Sequence, residues 1–100
     1  MSCVMSWEDW ASHDAVGLAE KVRKGEVSAN ELAQQAAAAV TMVNPSVNAV
    51  VEVFDDVVAN PLCDGMNPQG AFAGVPYFMK DLGPTLKGRL QEMGSLLMKG

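Results

Sequence analysis

A helix start is written with unusual completeness into Val27-Ser28-Ala29-Asn30-Glu31-Leu32. The Ser28 hydroxyl can accept the backbone N–H of Glu31 while the Glu31 side chain reaches back to the Ser28 amide, the reciprocal arrangement of a capping box. Val27 and Leu32 flank the box as a hydrophobic staple. Behind it, Leu32, Ala36, Ala39, Val40 and Val43 repeat at helical spacing, with Glu31, Gln34, Gln35 and Thr41 on the outer side. Asn44-Pro45 reads as the stop, because the residue before a proline is pushed out of the helical region. A helix over about 29–43 follows, and its run of alanines lets another layer approach closely.

A shorter helix precedes it, over about 13–24. Ser12 is its expected N-cap, Asp14 sits in the first turn, and Ala15, Leu18, Ala19 and Val22 form the apolar stripe. Lys21, Arg23 and Lys24 fill the last turn and Gly25 ends it. Beyond the long helix, Asn48 to Phe54 is rich in β-branched residues and reads as a strand over about 48–54. Asp55-Asp56 closes it and can open a short helical turn. Asn60 to Gly70 is turn-forming, and Val75-Pro76-Tyr77-Phe78-Met79 reads as a second strand, over 75–79. The order helix, helix, strand, loop, strand predicts an α/β or α+β layer with helices over a sheet. Two strands cannot build a sheet covered on both faces, so the remaining strands are expected outside these 100 residues.

Composition narrows the function classes. The net charge is −5, and 49% of the residues are hydrophobic, so a folded domain is expected and disorder is not. Residues 1–75 hold ten acids and three bases, which gives no footprint for nucleic acid or an anionic membrane surface. The N-terminus lacks the basic region of a secretory signal, and the uncharged stretch from Leu32 to Val51 is too polar to span a bilayer. Cys3 and Cys63 lie far apart without metal-ligand spacing, which fits a reducing cytoplasm and neither a disulfide framework nor a zinc site. His13, the single histidine, has no partner for a Ser-His-Asp set. No P-loop and no G-x-S-x-G elbow is present, and Asp55-Asp56 reads as a solvated end rather than a cation site. No metal and no cofactor is expected.

Lys80 stands apart, because it directly follows the apolar run 75–79. A lysine buried there would be desolvated, which disfavours the ammonium form and favours a general base at neutral pH. The competing reading is a lysine that snorkels to solvent or pairs with Asp81. On the residues alone both stand.

Gly74-Val75-Pro76-Tyr77-Phe78-Met79-Lys80-Asp81 closely resembles the G-V-P-x-x-x-K-D segment of the amidase signature family. Gly25-Glu26-Val27-Ser28, the run from Val43 to Val50, and Gly94-Ser95 are also similar to that family, in matching order. The resemblance implies the N-terminal part of a three-layer α/β/α fold with a mixed sheet, residues 1–100 being an incomplete segment of one amidase domain. It further implies that Lys80 is the general base of a Ser–cis-Ser–Lys triad hydrolysing the amide bond of a small molecule. The Gly/Ser-rich signature with both serines lies downstream of the lysine in the family, past Gly100, and Ser95 lacks its glycine-rich context. The segment alone is therefore expected to be inactive and, as part of a larger domain, to expose an apolar sheet edge. A homodimer of the full-length protein is compatible with this reading. Two alternatives stay open, a non-catalytic binding or assembly module and an amidotransferase-type subunit of the same family.

Overall fold

The computed structural model describes residues 3–100; Met1 and Ser2 lie outside the described residues. Its elements are helices α1 (Trp7–Ser12), α2 (Ala15–Arg23), α3 (Ala29–Val47) and α4 (Asp55–Ala59), followed by a single 3₁₀ turn at Leu96–Met98.

Local capping chemistry accounts for the helix ends. Ser28 accepts the Glu31 amide at 3.1 Å and Glu31 accepts the Ser28 amide at 3.0 Å, so the capping box forms as read. The end of α2 is also as read. Gly25 has φ +75° and donates to the Val22 carbonyl, while Glu26 donates to the Lys21 carbonyl, a Schellman closure. Its start differs. Asp14 rather than Ser12 is the N-cap, accepting the Gly17 amide at 2.8 Å. Ser12 instead ends α1, a helix whose own cap is Ser6, with Glu8 and Asp9 in its first turn.

The long helix runs past its expected stop. Pro45 lies inside α3, in its last turn, where it is exposed and has no N–H to give to the Thr41 carbonyl. The chain leaves the helix at Asn48, which takes the left-handed conformation at φ 51°. Asn44 directs that exit. Its side chain accepts the amides of Ala49 and Val50, each at 2.9 Å, and donates to the Val50 carbonyl at 3.0 Å.

The expected strands 48–54 and 75–79 do not form, and with them the three-layer α/β/α fold with a mixed sheet is overturned: among the described residues there is no strand. The reason lies in the backbone groups. A strand needs free N–H and C=O groups and a neighbour to pair with. At Ala49 and Val50 those groups are taken by Asn44, and the Phe54 carbonyl is taken by the Val57 and Val58 amides of α4. The Val75 amide is taken by Phe72, and Pro76 has none to give. The apolar run expected to be interior is largely outside, with Tyr77 75% and Phe78 70% exposed.

The buried apolar side chains are few: Leu18 and Ala19 on α2, Leu32 and Ala37 on α3. Gln35, expected on the outer face, is fully buried beside them. Its side-chain amide accepts the Met5 N–H at 3.1 Å and donates to the Met5 carbonyl at 2.9 Å, so the segment before α1 is held as though by a neighbouring strand. Val43, expected on the buried stripe, is 52% exposed. On the other flank Asn30 donates to the carbonyls of Val58 and Ala59 at 2.8 and 3.1 Å, fastening the end of α4 to α3.

Replacing Gln35 by Met keeps the volume but strands two backbone groups of Met5. We expect a loss of about 1–3 kcal/mol in urea denaturation, with faster hydrogen exchange at the Met5 amide. Unchanged stability and exchange would show that the buried pair does not anchor the segment.

Candidate functional site

Gly74 seats the segment that carries Lys80. It is buried against the α2–α3 pair with φ +87°, and a Cβ there would meet Ala29 Cβ at 3.1 Å and Val22 Cγ1 at 3.2 Å. Only glycine satisfies both the left-handed backbone and the lack of space. Arg23 of α2 adds a hydrogen bond at 3.1 Å to the Ala71 carbonyl just upstream. The glycine that opens the Gly74–Asp81 motif is thus the contact that docks the motif on the helices.

From this anchor the chain passes over the surface to Lys80, which is exposed. The burial expected of its side chain is not provided by residues 3–100, because the flanking Tyr77 and Phe78 are themselves open to solvent. Asp81 does not pair with the lysine. Its carboxylate turns to the returning chain, accepting the Glu92 amide at 2.8 Å and the Gly94 amide at 3.3 Å. Gln91 closes the same loop from the other side, donating to the Lys80 carbonyl at 3.4 Å and the Pro84 carbonyl at 3.0 Å. Residues 81–94 therefore form a closed loop that brings Gly94, ahead of Ser95, back to Asp81, the residue after the lysine. Ser95 caps the 3₁₀ turn, its hydroxyl accepting the Leu97 amide at 3.2 Å. No local sequence pattern marks Asp81 or Gln91 as loop-closing residues. The only signal was the adjacency of Asp81 to the lysine.

The middle of the loop is tied down by charge. Arg89 lies between two carboxylates, meeting Asp56 through Nη1 and Nη2 at 3.0 and 2.8 Å and Asp64 through Nε at 3.0 Å. Its guanidinium stacks 4.2 Å from the Phe54 ring centroid. The Arg89 side chain is only 16% exposed, whereas that of Asp56 is 60% exposed. The hydrogen bond from Arg89 holds the Asp56 carboxyl below its ordinary value, and the same bond raises the Arg89 guanidinium. Asp56, Cys63 and Asp64 present potential metal-ligand atoms within 4.8 Å of one another, yet both carboxylates are committed to the arginine. Cys3 and Cys63 are free and exposed.

His13 serves the first helix. Its Nδ1 lies 2.6 Å from the Asp9 carbonyl, at the end of α1. A cleft of about 470 Å³ opens nearby, lined by Met5, Asp9, His13, Lys21 and Glu26 among others. Lys80 is not on its wall, and the Lys21–Glu26 ion pair at 3.3 Å spans part of it. No described helix is long and apolar enough to cross a membrane.

Comparison with known proteins bears out the amidase resemblance. The chain is 39% identical over 99 residues to the 6-aminohexanoate-cyclic-dimer hydrolases of Pseudomonas sp. (strain NK87) and Paenarthrobacter ureafaciens, a match covering 99% of this chain and 18% of each relative. It is 35% identical over 94 residues to the lipoamidase of Enterococcus faecalis, covering 91% of this chain and 13% of that enzyme. These relatives are amide-hydrolysing enzymes, and the chain spans under a fifth of their length. No family profile matches the chain, and no solved structure matches it.

Two outcomes follow from this geometry. Gly74→Ala should destabilise the protein by about 2–4 kcal/mol, from left-handed strain and crowding together, read as a lower urea midpoint. An unchanged midpoint would mean the segment is not docked there. Because the folded-state value of Asp56 is lowered, its pairing with Arg89 strengthens the fold above the ordinary Asp value of about 3.9. That contribution is lost as the pH falls through the lowered folded-state value. Slow exchange of the Arg89 Nη protons, which bond Asp56, should therefore persist at pH 5 and disappear in strong acid. Asp56→Asn should speed it at pH 5, and molar salt should weaken the exposed pair.

Proposed function

We propose that this chain is the N-terminal portion of an amidase-signature hydrolase in which Lys80 is the general base. The observation that carries the reading is the 39% identity to 6-aminohexanoate-cyclic-dimer hydrolases over 99% of the chain, a span that includes the Gly74–Asp81 segment. Similarity of this extent to enzymes several times longer supports a segment of a larger protein. The surface agrees with that view, since Tyr77, Phe78, Leu96 and Leu97 are between 70% and 90% exposed.

In this reading the chemistry is acyl transfer. Lys80, unprotonated, takes a proton from the bridging serine, which in turn takes one from the nucleophilic serine. The serine oxygen attacks the amide carbonyl, the amine leaves with a proton, and water then releases the acid from the acyl-enzyme. The anionic tetrahedral intermediate needs backbone N–H donors aimed at its oxygen. Those donors and both serines belong to the part of the protein beyond Gly100, so residues 1–100 are inactive alone. Burial of Lys80 falls to the same part, because nothing within residues 3–100 covers it. The substrate class is a small-molecule amide, in line with the amides named for the relatives. The two free, exposed thiols fit a cytoplasmic setting.

Lys80→Ala in the full-length protein should abolish amide hydrolysis, with a fall in kcat of at least about a thousandfold and a retained fold by circular dichroism. Lys80→Arg should be equally inactive, since a guanidinium stays protonated. Near-normal turnover by either variant would overturn the assignment.

A further inference from the structure

The loop that leaves Lys80 at Asp81 returns through a strained turn. Met93 and Gly94 are both left-handed, at φ 56° and 63°. Glycine adopts that conformation freely, but methionine does so rarely and at a cost. The methionine side chain does not offset this by packing, being 53% exposed. A strained residue persists only where its surroundings over-determine it. Here the surroundings are the two amides on either side of Met93, both held by the Asp81 carboxylate at 2.8 and 3.3 Å, while the Met93 amide itself donates to Gln91 Oε1 at 3.1 Å. Bonds from N–H groups to an ionised carboxylate are stronger than those between neutral groups. The anchor of the turn is therefore the residue covalently next to the lysine.

We propose that Asp81 is a positioning residue for Lys80. Its carboxylate clamps the Met93–Gly94 turn to the residue that follows the lysine, and so fixes the backbone from which the lysine side chain departs. The proposal rests on the reading of Lys80 as the general base. It predicts that loosening the clamp lowers the rate of the chemical step while leaving substrate binding nearly unchanged, because the catalytic lysine loses its fixed setting.

The test uses the full-length protein and a panel of p-nitroanilides of acetic, butyric and 6-aminohexanoic acids. Asp81→Asn keeps the size of the side chain but replaces one acceptor by a donor that faces an N–H. We expect kcat to fall about tenfold, with KM within about twofold of the parent. Adding Met93→Gly to Asp81→Asn should restore most of kcat, because a glycine stays left-handed without the carboxylate. A purely structural role would lower the yield of folded enzyme and leave kcat per folded molecule unchanged. If Asp81→Asn does not fold, Gln91→Ala frees the same turn from its other side and should lower kcat at constant KM. Parent-like kcat in Asp81→Asn, or a loss that Met93→Gly does not relieve, would overturn the clamp. Near-normal turnover by Lys80→Ala, or no turnover of any anilide by the parent, would instead overturn the lysine reading on which the clamp rests.

Discussion

The side-chain amides of α3 hold this structure together. Every backbone N–H and C=O withdrawn from water needs a partner, and the segments around α3 make no ladder among the described residues. The helix supplies the partners instead. Gln35 pairs with both groups of Met5, Asn30 takes two carbonyls at the end of α4, and Asn44 takes the amides that follow the helix. Leu32 and Ala37 are buried on the same helix, so apolar burial and backbone satisfaction share one element. With the helices fixed, a gap between α2 and α3 is left that only Gly74 fits, and the placement of Lys80 depends on that gap.

What could be read in advance was whatever depends on a few neighbouring residues. The Ser28–Glu31 box and the Gly25 stop are local chemistry and formed as read. Helix α1 was missed, although Ser6 followed three residues later by Asp9 carries a cap signal of its own. The misreadings share a cause in tertiary partners. Glutamine has no preference that marks Gln35 as buried, because its burial depends on Met5, thirty residues away. Residues 48–54 have strand composition, yet composition does not reveal that the Asn44 side chain claims the adjoining backbone groups. Asn44-Pro45 reads as a stop, yet the helix continues through Pro45 and the exit is set at Asn48.

The candidate site shows the same division. The Gly74–Asp81 motif was legible because its residues adjoin in sequence, and its glycine has a clear steric reason. The interior position expected for Lys80 was inferred from apolar neighbours, whereas exposure is decided by what packs over them, and residues 3–100 leave Tyr77, Phe78 and Lys80 open. The loop closure by Asp81 and the Arg89 hub join residues 11 to 33 positions apart, and no local pattern announces them. Both hold the chain that follows the lysine, which gives the motif a stiff base even where its side chains are uncovered.

The central assignment is that this chain is the opening part of a longer amidase, and the most direct measurement is the sequence of the transcript across the codon for Gly100. An open frame that continues for several times the present length, through a Gly/Ser-rich stretch carrying two serines, is the expected result. A stop codon directly after Gly100 would contradict it, because the lysine would then have no serine to serve.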